Sequence, residues 1–230
     1  MRLTSTAPCG RDDAGLTLVE LLMTVVILGV IALPLGNAII GVLKNTDATS
    51  DRLSLSHDAQ ISAAYFARDV ASVGTRDYSA VGTPLRQSIQ RDAAYNAGGH
   101  TCGTATTPTA KVRFLADRWD NSGSAPTMAT DVVAYYLVPA GSISELHRIK
   151  CTGSSTPASD VTLAHYVDPA TLTVACSTTC EAATAPQRVT LTFWVVKPSA
   201  EDISGGMCSD PVVRERSCYE INLSGQRRQT

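Results

Sequence analysis

The longest apolar segment of the chain lies near its N-terminus. From Leu21 to Leu43 it runs for 23 residues without a charged side chain, LLMTVVILGVIALPLGNAIIGVL. A helix rises about 1.5 Å per residue, so this segment is long enough to cross a bilayer core of about 30 Å. A secretory signal has a core of only about 7–15 apolar residues followed by a small-residue cleavage site, whereas this run continues directly into KNTD. We therefore expect a retained transmembrane helix over residues 16–43.

A polar pattern with helical spacing follows the apolar run. Apolar and small residues recur every three to four positions, at Leu55, Ala59, Ser62, Phe66, Val70 and Val73. This spacing is the period of an amphipathic helix. Arg68 and Asp69 fall outside this stripe, and Gly74 is suited to end the helix. The pattern predicts that residues 44–74 continue the helix and lay one face on a globular domain.

Beyond Gly74 the period changes to two, which is typical of half-buried strands. Loops rich in Gly, Ser, Thr, Pro and Asp separate these segments, at Gly98–Thr109, Gly153–Asp160 and Ser199–Asp210. The predicted strands are Lys111–Ala116, Asp131–Val138, Val161–Val167, Val189–Val196 and Cys218–Leu223. A long helix packed on an antiparallel sheet places the chain in the α+β class, with residues 75–230 forming the β-rich domain.

The residues that open the apolar run form a recognisable motif. Residues 15–22 read GLTLVELL, which resembles the type IV prepilin motif: a glycine, an apolar residue and Thr-Leu-(Ile/Val)-Glu-Leu at the head of a long apolar helix. The resemblance extends from Gly15 to about Leu43. It implies that a membrane peptidase cuts between Gly15 and Leu16 and methylates the new N-terminus. Residues 1–15 would then be a leader peptide, and Leu16 would be the N-methylated first residue.

Glu20 is the charged residue of this motif. A carboxylate at the head of a membrane helix is costly in lipid unless it is paired, so it indicates a function. The resemblance implies a salt bridge between Glu20 and the α-amino group of a neighbouring subunit, which would fix the axial register of a filament. The alternative is that Glu20 lies in the headgroup zone as a solvated residue favoured by the helix dipole.

The leader departs from the prepilin pattern. It carries only two basic residues, and Asp12 and Asp13 stand near the cut, so the positive-inside rule defines its orientation less firmly than in a more basic leader. Pro34 removes a backbone donor and should bend or loosen the apolar helix, which agrees with the resemblance, since pilin anchors often carry a proline in this region. Gly29, Gly36 and Gly41 would permit close helix approach in a filament core, or they reflect the usual tolerance of membrane helices for glycine.

Two shorter segments resemble the minor pilins and pseudopilins of the PilW/PulJ type. They are the helix ending ARDVASVG and the segment DVVAYYLV, which is followed by a turn and LHR. The resemblance implies a pilin-like fold and a minor subunit of a type IV pilus or a type II secretion-like pseudopilus. Its partners would be other pilin subunits, the prepilin peptidase and the inner-membrane assembly platform. The chain would span the cytoplasmic membrane once, with its C-terminal domain extracytoplasmic, and reach the cell surface on assembly.

Two other functions compete with this one. The chain could be a membrane-anchored extracytoplasmic binding protein or enzyme that shares only the anchor. It could also be a DNA-capturing tip pilin of a competence system, the one case in which nucleic acid would be a partner. The net charge of −2 gives no bulk positive field to attract nucleic acid, which leaves a local patch as the remaining route.

The cysteines divide at the apolar segment. Cys9 precedes it, and six cysteines follow it: Cys102, Cys151, Cys176, Cys180, Cys208 and Cys218. An even number of cysteines after the membrane segment indicates disulfides in a translocated domain. Nearest-neighbour pairing joins Cys102 to Cys151, Cys176 to Cys180 and Cys208 to Cys218, the last where pilins often staple their C-terminal region. Six cysteines allow 15 connectivities, and the sequence does not choose among them.

The sequence contains no pattern typical of a catalytic or metal site. The histidines, His57, His100, His147 and His165, are scattered along the chain. No Gly-x-Ser-x-Gly or His-Glu-x-x-His segment occurs. The Cys-x-x-x-Cys spacing of Cys176 and Cys180, with His165 as the nearest histidine, is poor for zinc. We therefore expect no enzymatic activity, no metal and no cofactor.

Overall fold

The computed structural model describes residues 17–73, 87–121, 123–182, 184–200 and 205–228, apart from the side chain of Lys44. It contains one long N-terminal helix, α1 (Leu18–Ala71), and an antiparallel β-sheet, which confirms the predicted α+β class. The chain divides into two compact units, one ending at Ala48 and one beginning at Thr49. The predicted leader, residues 1–15, and the predicted helix end at Gly74 lie outside the described residues.

In the part of the chain that the structure describes, eight strands and one short second α-helix follow α1. They are β1 (Ile89–Ala93), β2 (Ala110–Asp120), β3 (Thr127–Ala140), β4 (Ile143–Thr152), β5 (Pro157–Val167), β6 (Thr173–Cys176), β7 (Arg188–Val196), α2 (Pro211–Ser217) and β8 (Cys218–Gln226). The five predicted strands are confirmed as parts of β2, β3, β5, β7 and β8. The sequence did not reveal β1, β4 and β6. The predicted loop Gly153–Asp160 is wrong in its second half, because β5 begins at Pro157 and pairs Ser159 with Lys150 of β4.

The strands form an antiparallel meander that opens where β5 meets β7. Strands β1 to β5 pair in chain order, whereas β5 and β7 are aligned at one position, Val167 opposite Val195. Strand β8 pairs with β7 along its whole length, whereas β6 pairs with the part from Val189 to Thr192. Most of β5 therefore presents an edge that none of the described strands covers.

The second half of α1 supplies hydrogen bonds to this edge of β5. Ser62 Oγ donates to the Leu163 carbonyl oxygen at 3.0 Å. Asp58 Oδ2 accepts from the backbone N–H of His165 at 3.1 Å and lies 3.0 Å from Nδ1 of the same residue. Buried backbone groups need partners, so these polar side chains on the buried face of α1 replace the bonds that a neighbouring strand would make.

The core between α1 and the sheet confirms the predicted helical stripe. Phe66 is fully buried and packs edge to face against Phe114 and Tyr135, with ring centroids 5.7 and 5.4 Å apart. Gly225 of β8 lies directly against Val70, because a Cβ atom added there would stand 2.5 Å from the Val70 Cβ. A glycine is required at this close approach of strand and helix.

Asp69 contradicts the predicted stripe, because it is buried rather than outside it. Only 5% of the residue is exposed, and both its carboxylate oxygens bind Arg148 of β4, at 2.6 Å from Nε and 2.7 Å from Nη2. The hydroxyl of Tyr135 donates to the same carboxylate at 2.6 Å. Asp69 follows Phe66 by three residues and so shares its helix face. The face tolerates a carboxylate because the sheet supplies a matching cation.

A second buried cation organises the loop between β1 and β2. Arg113 of β2 has no exposed surface, and burial lowers the pKa of its guanidinium. The guanidinium donates to the side-chain oxygen of Gln90 and to four carbonyl oxygens, those of Ala94, Tyr95, Ala97 and His100. These bonds hold the loop that carries Cys102 over the outer face of the sheet.

Candidate assembly site

Helix α1 begins with a cap built from the residues of the N-terminal motif. The backbone N–H of Glu20 donates to the carbonyl oxygen of Thr17 at 3.0 Å and to its Oγ1 at 3.3 Å. A threonine three residues before a glutamate has the spacing of a capping box, which satisfies N–H groups that a helix start leaves unpaired. Such bonds are needed in lipid, where no water can replace them. The role of Thr17 was not predicted, although its Thr-x-x-Glu spacing is readable in the sequence.

The Glu20 carboxylate has no partner among the residues that the structure describes. It is exposed, and it is the one ionisable side chain between Leu18 and Leu43. The positive end of the helix dipole offers partial compensation worth about 0.3–1 kcal/mol, which is small beside the cost of a charge in hydrocarbon. A Glu20 carboxylate within hydrocarbon would therefore need a full counter-charge from another group, whereas one in the headgroup zone would not. Gly15 and Leu16 lie outside the described residues, so the proposed cut between them stays a prediction.

The first part of α1 presents apolar side chains in every direction. Its large hydrophobic side chains are between 49% exposed, at Ile31, and 79% exposed, at Leu18. Among the described residues, α1 is the helix that is long and apolar enough to cross a membrane. A helix that is apolar all round needs either lipid or other helices as its surroundings.

The few polar or irregular positions of this segment are accommodated within the helix. The Thr24 hydroxyl donates to the carbonyl oxygens of Glu20 and Leu21 at 2.5 and 3.0 Å, so it exposes no unpaired donor. The α-helix continues unbroken through Pro34. A Cβ atom added at Gly29, Gly36 or Gly41 would have no neighbouring atom within 4 Å. These positions therefore leave room for another helix to approach.

The six cysteines after the apolar segment form three disulfides in the structure. Cys102 is joined to Cys151, Cys176 to Cys180 and Cys208 to Cys218, with Cα atoms 5.6, 5.4 and 6.0 Å apart. The first pair closes the longest loop, with a sequence separation of 49. Loop-closure entropy assigns it about 4 kcal/mol of stabilisation, against about 2 kcal/mol for the shortest loop. Disulfides of this kind persist in an oxidising compartment.

The histidines of the sheet are engaged with carboxylates. His147 Nε2 lies 3.2 Å from Glu145 and its Nδ1 lies 3.5 Å from Asp160, while His165 contacts Asp58. Within the described part of the chain, no group of three or more His, Cys, Asp or Glu side chains is placed to hold a metal ion.

One comparison with known proteins finds a match. Residues 10–36 match the family model described as a prokaryotic N-terminal methylation motif. The match covers the predicted cut, the cap at Thr17, the Glu20 carboxylate and the first half of the apolar helix. It does not reach the two segments that resemble the PilW/PulJ type, so that assignment stays a prediction. No curated protein and no solved structure matches the chain.

Proposed function

We propose that this type IV pilin-like protein is a minor subunit of a type IV pilus or of a type II secretion-like pseudopilus, incorporated after leader cleavage and N-methylation. One observation supports the proposal above the others: the matched N-terminal segment places a carboxylate, that of Glu20, at the head of a helix that is apolar on all sides. The motif occurs in structural subunits, and the helix fits anchoring in a membrane.

Assembly follows from the electrostatics of this N-terminus. Cleavage after Gly15 frees an α-amino group at Leu16, which is a cation at neutral pH. In lipid that cation and the Glu20 carboxylate are each costly alone, whereas together they form a neutral pair. Pairing the amine of one subunit with Glu20 of the next would therefore favour one axial register, and van der Waals packing of the apolar helices would add to it.

The remaining features agree with a subunit whose domain lies outside the cytoplasm. The three disulfides favour an oxidising compartment for residues after the apolar helix. A single membrane pass then connects the leader on the cytoplasmic side to the domain on the other side. Its partners would be other pilin or pseudopilin subunits, the prepilin peptidase and the inner-membrane assembly platform. In this role the chain is not an enzyme.

Substituting Gly15 tests this function in the native host. We expect Gly15→Val to leave the chain uncut and in the membrane, because a branched side chain at the scissile position obstructs approach of the peptidase. Immunoblots of sheared filaments and of membranes would measure the distribution. The control is Gly10→Val, the same substitution in the leader but away from the cut, which should be processed normally. If Gly15→Val entered filaments, or supported surface function uncut, the subunit role would be wrong and the chain would be an anchored protein of another kind.

A further inference from the structure

We propose that the cleft at the C-terminal end of α1 binds a small, multiply charged oxyanion that carries phosphate or carboxylate groups. The described residues that line the cleft all belong to the unit that begins at Thr49. The inference therefore does not depend on the assembly role of the N-terminal helix.

The cleft lies between the last turn of α1 and strands β2 to β4. Its volume is about 470 Å³, which is within the range of about 300–1,000 Å³ for small-molecule sites. Three cations line it from three different elements: Arg68 from α1, Lys150 from β4 and Arg228 from the segment after β8. The backbone N–H of Arg228 donates to the Ala71 carbonyl oxygen at 3.3 Å, which places this segment beside the helix end.

The two carboxylates that line the cleft each have an arginine partner outside it. Asp69 forms a bidentate ion pair with Arg148. Asp131 accepts from Arg118 Nε at 2.9 Å, and Nη2 of the same guanidinium lies 3.7 Å from Asp120. The three lining cations have no ion-pair or side-chain hydrogen-bond partner among the described residues. Among the described residues, positive charge is therefore in excess at the cleft, within a chain whose net charge is −2.

The helix end explains only part of this charge. The C-terminal dipole of α1 favours a nearby cation such as Arg68, but it amounts to about half an elementary charge and does not balance three cations. Lys150 lies on a strand, outside this effect. Several cations converging on one concave surface are complementary to an anion with more than one acidic group, since charge-assisted bonds to phosphate or carboxylate are the stronger kind.

The cleft fits a small anion better than a nucleic acid. Single-stranded nucleic acid is held by aromatic rings on which its bases stack, along a basic track. The aromatic ring that lines this cleft belongs to Phe114, which is 2% exposed and packs inward against Phe66. The cations line one concave cleft and form no such track.

Calorimetric titration of the full chain in detergent with inorganic pyrophosphate tests the proposal. We expect saturable binding of one pyrophosphate per chain, and we expect Arg68→Gln and Lys150→Gln each to weaken it about tenfold, since each removes one charge-assisted contact. The matched control is Arg52→Gln, the same substitution on the same helix at an exposed position that does not line the cleft. It should bind as the unchanged chain does. Thermal unfolding with and without pyrophosphate checks that each variant is folded.

Three results would overturn the proposal. One is the absence of saturable binding to a folded chain. Another is an equal loss of pyrophosphate affinity in Arg52→Gln, which would mean that the effect depends on overall charge and not on the cleft. The third is tighter binding of a 20-nucleotide single strand that displaces pyrophosphate and weakens steeply with salt, which would assign the cations to nucleic acid. Because Lys150→Gln alters a strand residue and Arg68→Gln a helix residue, failure of one variant to fold leaves the other as the test.

Discussion

Replacing Glu20 with glutamine should leave the chain cleaved but lower its amount in filaments by about a hundredfold or more. Glutamine has nearly the same shape as glutamate and retains the backbone N–H that bonds Thr17, so the helix start is preserved. What it removes is the charge that would pair with a neighbouring α-amine. Leaving one member of a buried ion pair alone costs about 3–5 kcal/mol, and each 1.4 kcal/mol is a factor of ten.

Immunoblots of sheared filaments and membranes from the native host would measure this loss. Two variants serve as controls: Glu20→Asp retains the charge on a shorter side chain and should assemble at an intermediate level, and Asn37→Leu removes a polar side chain from the same apolar segment without changing charge. The latter should assemble as the unchanged chain does. Normal filament levels of Glu20→Gln would show instead that Glu20 is a solvated residue of the headgroup zone.

Breaking the ion pair between Asp69 and Arg148 should lower the free energy of unfolding by about 3–5 kcal/mol. Asp69 is 5% and Arg148 is 4% exposed, so removal of either leaves an uncompensated charge in the core. Burial alone would lower the pKa of Arg148, but the hydrogen bonds and charge of Asp69 outweigh it and raise that pKa. Burial, with the Asp69 charge, raises the pKa of Tyr135, so its hydroxyl remains a donor to the pair. The charged arrangement is therefore the stable one.

Urea unfolding of Asp69→Asn, Arg148→Met and the double variant would measure this pair. We expect the double variant to be more stable than the sum of the two single losses predicts, by a coupling of about 0.5–3 kcal/mol, because it leaves no lone charge. The control is Glu215→Gln, an exposed carboxylate on α2, which should change stability by less than about 0.5 kcal/mol. If either single variant lowered the free energy of unfolding by less than about 1 kcal/mol, or if the two losses were strictly additive, the ion pair would not stabilise the core as described.

The same ion pair shows why part of the fold was hidden in the sequence. The α1 helix and the strands β2, β3, β5, β7 and β8 follow from apolar periodicity, which is a local signal. Strand β4 contains Arg148 at an inward position, and this charge masks the alternation typical of a strand. Its partner, Asp69, stands 79 residues earlier, so no local pattern relates the two. Strands β1 and β6 have only five and four residues, too few for a clear period.

The assembly site was more readable than the domain. A glycine, a threonine and a glutamate at fixed spacing before an apolar run identify the motif without any structure, and residues 10–36 match it. The structure added the capping bond of Thr17 and the lack of a described partner at Glu20. The proposed partner, the α-amino group of a neighbouring subunit, is not part of the described chain. The cleft at the end of α1 could not be predicted, since its cations come from residues 68, 150 and 228.

Mass spectrometry of the mature N-terminus in the native host tests the central claim most directly. We predict that the first peptide begins at Leu16 and contains one methyl group on its α-nitrogen, with the apolar segment up to Leu43 still attached. A mature chain that began upstream of Leu16, or one that had lost the apolar segment, would contradict it. In either case no freed amine would be available at the head of the helix to meet Glu20.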